Sequence, residues 1–234
     1  MIAIFKHELK SYFHSLTAYV FGAFLLAVVG FGAVLCNIQA AFSNFELVFS
    51  FSSLVFVIIV PILTMRTIAE ERRQKTDQLL YSLPVTTTEI VLGKYLALLV
   101  VYLVPLCIIS GYPLIFSLFG DVYLLTSYGS MLAFFLLGAA FIAVGVFLSS
   151  VTENQLIAAV SSIAIIGMLI LISFLADEIP VVWVRTVIDW FSVMSRYAPF
   201  TNGLLDISAI IYYIRFAAVF LFLTVRVYEK RRWS

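Results

Sequence analysis

Charge is what this sequence has least of. Lysine, arginine, aspartate and glutamate together make up 12% of its 234 residues, against about 25% in ordinary soluble domains. Hydrophobic residues make up 63%, and the mean hydropathy is +1.11. The chain is therefore an integral membrane protein with no room for a sizeable soluble domain. The formal net charge of +1 gives no sign of a nucleic-acid or acidic partner. Cysteine is nearly absent. Cys36 and Cys107 have neither metal-site spacing nor a partner motif, so they read as small apolar fillers. The two histidines, His7 and His14, both precede the first apolar run. The sequence has no His-Glu-x-x-His, no Gly-x-Ser-x-Gly and no pair of aspartates inside an apolar run, which counts against an intramembrane enzyme. All thirteen acids lie in loops or at helix ends, where they cannot carry protons or sodium through the bilayer as a secondary carrier requires. A phosphate-binding loop is missing too. Gly93-Lys94 is followed by Tyr95, and position 88 is threonine, so nucleotide phosphates have no cradle here.

What is abundant is long apolar sequence. A membrane-crossing helix needs about 20 apolar residues. Runs of that length cover 17–35, 47–65, 95–119, 128–149, 154–176 and 207–225. The runs are continuous rather than alternating, which excludes a β-barrel. The first follows Lys6 and Lys10, has span length and lacks a small-x-small cleavage site, so it reads as a permanent helix. The expected fold class is an all-α integral membrane protein with six transmembrane helices. Six spans place both termini on one side. Eleven basic residues fall on that side: Lys6, Lys10, Arg66, Arg72, Arg73, Lys75, Lys94, Arg226, Lys230, Arg231 and Arg232. Three fall elsewhere: Arg185, Arg196 and Arg215. By the positive-inside rule, the termini and the charged 66–94 loop are cytoplasmic.

The segments between the runs carry the remaining signal. Residues 1–16 put Ile2, Phe5, Leu9, Phe13 and Leu16 on one helical face, as in an interfacial helix lying along the leaflet; an ordinary basic lead-in is the alternative. In the 66–94 loop, 66–75 extends the second span. Residues 76–83 then form a short helix with an apolar edge of Leu79, Leu80 and Leu83, stopped by Pro84. Those leucines have no core of their own to bury in, which argues for a docking surface. Thr86 and Glu89 match a capping box that starts the next helix. In the outer 177–206 loop, a helix after Pro180 would align Trp183, Val187, Trp190, Phe191 and Met194, with Arg185 and Asp189 paired four apart. Pro199 and Gly203 break the chain before the last span. Gly138, Ala139, Ala143 and Gly145 have helix-packing spacing, and Pro61 and Pro105 are expected to kink their helices. Arg215 is the one charge at apparent membrane depth. Two readings stand: it faces the bundle interior and pairs with Asp206, Asp189 or Glu178, or it snorkels outward.

Glu70-Glu71-Arg72, Thr76, Leu79-Leu80, Leu83-Pro84-Val85 and Glu89-Ile90-Val91-Leu92-Gly93-Lys94 together resemble the cytoplasmic loop of ABC-2 type exporter permeases. The gliding-motility permease subfamily is the nearest likeness, and the nitrous-oxide-reductase maturation permease a more distant one. Residues 195–206 before the last span and the basic ending at 223–233 match as well, so the resemblance runs over the whole chain. It implies a single ABC-2 (type V-like) permease domain over 1–234. Its parts would be an interfacial helix at 1–16, spans 1–2 at 17–65 and a coupling loop at 66–94. Spans 3–5 would follow at 95–176, then extracytoplasmic helices at 177–206, and span 6 with its tail at 207–234. Residues 72–83 would be the coupling helix seated on a cytoplasmic ATPase, with Glu71, Arg72, Thr76, Leu79, Leu80, Leu83 and Pro84 making the contact. Trp183, Trp190, Phe191, Pro199 and Phe200 would form an extracytoplasmic gate. The chain itself would be non-catalytic and hold no cofactor, since ATP and Mg2+ would bind to the partner. Two ATPase copies, a second permease or auxiliary subunit and a bacterial inner membrane complete the expectation. The rival class is a structural anchor of a motility or secretion complex.

Overall fold

The computed structural model describes residues 1–39, 45–76, 85–118, 120, 122–176 and 192–232. Among these residues it is all helix, without strands. The N-terminal helix α1 is Ile2–His14, ended by an extended Ser15. Helix α2, Leu16–Ala33, continues into a π-helical stretch, Val34–Gln39. Helices α3 (Glu46–Leu54) and α4 (Phe56–Thr64) are followed by the short α5 (Ala69–Arg73). Then come α6 (Thr87–Ile109) and its short continuation α7 (Gly111–Phe116). Helix α8 is Leu124–Val151 and α9 is Gln155–Ala176. A one-turn α10 (Ala198–Thr201) precedes α11 (Ile207–Arg232). Among the described residues five helices are long and apolar enough to cross a membrane, or six when the bent pair at 46–73 counts as one span.

The expected kinks fall elsewhere. Pro61 and Pro105 lie inside unbroken helices. The second span instead bends by 60° where α3 meets α4, at Val55. One serine bonds back to the backbone at this point. Ser53 Oγ donates to Ser50 O at 2.7 Å, and Val55 N donates to Ser52 O, a tightened i−3 bond. Side-chain competition of this kind bends helices. A second break falls at Ser110, whose Oγ donates to Cys107 O at 2.7 Å. The last span is longer than its apolar run, because its basic end continues as helix to Arg232.

Helix α8 is the centre of the bundle. It packs on α3, α4, α6, α9, α10 and α11, and its residues from Leu137 to Val146 are all buried. Its small residues allow the close approach. A Cβ on Gly138 would stand 2.6 Å from the Tyr102 ring, and one on Gly145 would stand 2.1 Å from Thr64 Oγ1. An aromatic cluster fills the space beside it: Phe56 and Phe134 rings lie 4.5 Å apart, and Tyr102 Oη donates to Phe134 O at 2.8 Å. Helices α2, α9 and α11 are the outer ones, with rows of exposed Leu, Ile, Val and Phe. Such faces suit lipid, whose chains are as apolar as leucine.

Helix α1 lies against the bundle, packed on α6. Tyr12 is buried, and Phe5, Leu9 and Phe13 are half-buried, but Ile2 and Leu16 at the ends of the expected face are exposed. Gly93 lets α1 close in: a Cβ there would meet Ile4 Cγ2 at 3.1 Å.

Candidate functional site

The charged residues of the chain concentrate where α1, the α4–α5 corner, the start of α6 and the ends of α8 and α11 meet. The corner is built first. Ser149 Oγ of α8 accepts from Ile68 N and Ala69 N, both at 3.1 Å, and donates to Met65 O at 3.2 Å. One hydroxyl thus satisfies backbone groups that the turn from α4 into α5 would leave unpaired.

Lys94 stands behind this corner, fully buried. Its Nζ donates to Glu8 Oε1 at 2.6 Å, to Glu71 Oε1 at 2.5 Å and to Thr67 O at 3.4 Å. An ammonium has three donors, and each has an acceptor from a different place: α1, α5 and the turn before it. Without them, burial of the charge would cost far more than packing returns. Tyr12 adds a fourth tie through its Oη and Thr67 Oγ1, 3.0 Å apart. Burial pushes that phenol above its ordinary pKa, so it stays protonated. A cavity of about 270 Å³, lined in part by Glu8, Ser11, Tyr12, Thr67, Glu70 and Glu71, opens beside the cluster.

Arg72 leads to the last span. It is 4% exposed, and its guanidinium lies 5.6 Å from the Tyr228 ring centroid of α11, within cation–π range. Nearby, Arg231 of α11 donates to Glu153, between α8 and α9, at 3.0 Å. On the exposed side, Arg66 holds Glu70 through two hydrogen bonds at 2.6 and 3.1 Å. Residues 66–72 are therefore fastened to α1, α6, α8 and α11 at once.

The helix stops just beyond. Lys75 has φ 57; Lys75 N donates to Arg72 O, and Thr76 N donates to Glu71 O at 3.0 Å. This is a Schellman ending with lysine where glycine is usual. Arg72 and Arg73 thus close the extension of the second span, and Arg72 is turned into the bundle; residues 77–83 of the coupling helix implied over 72–83 lie outside the described residues. Thr76 is exposed. Leu79, Leu80, Leu83 and Pro84 lie outside the described residues. At the start of α6 the capping box forms as expected, with Glu89 N on Thr86 Oγ1 and Thr86 N on Glu89 Oε2, both 3.3 Å.

At the opposite end, Trp183, Trp190 and Phe191 lie outside the described residues. Pro199 and Phe200 form α10, where Phe200 is buried and its carbonyl accepts from Ser130 Oγ at 3.2 Å. Gly203 closes α10 with φ +77, and a Cβ there would stand 3.0 Å from Thr126 Oγ1. Tyr213 Oη donates to Val193 O at 2.8 Å, and Met194 N to Ser173 Oγ at 3.3 Å. Residues 192–204 thus close this end of the bundle. Arg215 is exposed on α11, with no hydrogen bond or ion pair among the described residues. Of the partners named for an inward Arg215, Asp206 accepts from Ser208 N and Oγ instead, both at 2.8 Å, and Asp189 and Glu178 lie outside the described residues.

Sequence reasoning places Lys94 only among the basic residues of one side and in the loop motif, and it misses Glu8, Tyr12, Thr67, Ser149 and Tyr228. One signal was available: Lys94 is the only charge between Ile90 and Ile109. A lysine that deep in an apolar stretch needs an acid from elsewhere.

A bundle of helices long and apolar enough to cross a membrane, with an ion-paired junction at one end, defines a multi-pass membrane protein. Residues 11–227 match the family model described as ABC-2 family transporter protein. The chain belongs to that family and is a permease subunit of an ABC transporter. No curated protein matches the chain.

Proposed function

We propose that this chain is the membrane half of an ATP-driven exporter, moved by a separate cytoplasmic ATPase that binds the ATP and Mg2+. The observation that carries the reading is the buried Lys94–Glu8–Glu71 junction at the root of the 66–94 loop. A docking edge is useful only if what it is attached to transmits its motion. Here the root is fastened to α1 and to three further helices, so a push on Leu79, Leu80 and Leu83 would be shared by the N-terminal helix and by the third, fourth and last spans. The basic residues clustered at that end support its cytoplasmic placement and, with the resemblance, a bacterial inner membrane.

Two such chains, or one with a related permease, would form the pathway at their interface, served by two ATPase subunits. No concentrated polar lining is evident in the spans, which favours an amphipathic or lipid-like substrate, or transmitted force, over a free ion. The loop pattern supports the gliding-motility subfamily. Replacing Leu79, Leu80 and Leu83 with aspartate should abolish co-purification of the ATPase while membrane insertion persists. Each buried leucine contributes about 1.5–3 kcal/mol. A triple variant that still brings down its ATPase at wild-type yield would refute the reading.

A further inference from the structure

We propose that the exposed face of α11 around Arg215 receives a transmembrane helix of a different protein, one that carries a carboxylate at mid-membrane depth. The last apolar run, 207–225, is about 28 Å long, close to the hydrocarbon thickness of about 30 Å. Arg215 lies about 12 Å from one end of it and about 15 Å from the other. Its neighbours on the exposed face are Ile211, Ile214, Ala218, Val219 and Phe222. The guanidinium has no hydrogen bond or ion pair among the described residues, so within this chain a mid-bilayer charge faces outward unpaired. Intramembrane charges are costly and are met by partners.

Three occupants can be compared. A second copy of this chain, related by a two-fold axis along the membrane normal, would bring its own Arg215 to the same depth. Its six apolar runs could offer no acid there, because all thirteen acids lie outside them. A lipid would place its phosphate at the interface, well above Arg215. A lipid also gains little at the cytoplasmic end of this face, where Arg226 is already engaged by Glu229 at 3.0 Å and by the Phe222 ring at 4.9 Å. A helix of another protein meets both features of the surface. Its carboxylate pairs with Arg215. Its apolar side chains enter the groove of about 380 Å³ between α6 and α11, lined in part by Val91, Leu92, Ala218, Leu221, Phe222 and Val225. Ala218, one turn below Arg215, lets the helices approach closely.

The test is photo-crosslinking in the cells that make the protein, with benzoylphenylalanine at Ile214 or Val219 and the adduct identified by mass spectrometry. The expected adduct is a membrane protein other than this chain and its ATPase, joined through a span with an Asp or Glu near its middle. Arg215→Leu should lower the adduct yield by about tenfold without changing thermal stability of the isolated chain. Arg215→Asp combined with the partner's acid changed to Arg should restore it, which misfolding of either variant could not do. Adducts only to lipid or to a second copy, a partner span without a carboxylate, an unchanged yield in Arg215→Leu, or no rescue by charge exchange would each overturn the proposal.

Discussion

Replacing Lys94 with methionine removes the cation and keeps most of the side-chain volume. The side chain is wholly buried, while those of Glu8 and Glu71 are 13% and 24% exposed. The substitution leaves two carboxylates facing each other with little solvent. Breaking a buried ion pair by removing one partner costs about 3–5 kcal/mol. The two charge-assisted hydrogen bonds lost, at about 1.5–3 kcal/mol each, point to the same size. For a chain of this length that corresponds to a fall in Tm of about 6–20 °C. Thermal unfolding in detergent, followed by tryptophan fluorescence, measures it. The triple variant Lys94→Met, Glu8→Gln, Glu71→Gln removes all three charges and should regain most of the loss, since a neutral junction leaves no charge stranded. If the junction also transmits motion, the triple variant should bind its ATPase normally. A spin label at Lys10 on α1 should then no longer respond to nucleotide. A single variant within 2 °C of wild type, or a triple variant as unstable as the single one, would refute the reasoning.

Gly145→Ala should destabilise the bundle by about 1–3 kcal/mol, because the added Cβ would stand 2.1 Å from Thr64 Oγ1. Thr64→Ala in the same chain should recover only part of that, since the Thr64 Cβ is itself 2.8 Å away, and a melting series reads both. Lys75→Gly should raise stability by about 1 kcal/mol by relieving the left-handed backbone at φ 57, without loss of ATPase binding. Single cysteines at Lys75 and Arg231 should react with an impermeant maleimide only from the cytoplasmic side, and one at Asp189 only from outside; the reverse would overturn the six-span orientation.

The apolar runs announced the spans because hydropathy is summed over twenty residues and survives errors at either end. Thr86 and Glu89 were legible because a capping box is local. The kink at Val55 was not, since it has no proline or glycine to mark it, and the sequence drew attention to Pro61 instead. The junction was hidden for a different reason. Glu8, Glu71 and Lys94 are far apart in the sequence, so nothing local pairs them, and the depth of Lys94 in its apolar stretch was the one hint of a partner. On α1 the apolar stripe was legible, but Glu8 and Tyr12, which carry its polar ties to the bundle, were not. Arg215 was conspicuous from the start, and of its two readings the exposed side chain fits the outward one.

The most direct test of the central claim is whether ATP moves the root of the loop relative to the far end of the bundle. Thr76 and Ser195 are both exposed, and Cys36 and Cys107 can be replaced by alanine to give a clean background. Spin labels at Thr76→Cys and Ser195→Cys, in the complex with its ATPase, report that distance by double electron–electron resonance. The account predicts one distribution without nucleotide and a displaced one when ATP and vanadate trap the closed ATPase. Identical distributions, with the ATPase bound and hydrolysing ATP, would contradict it.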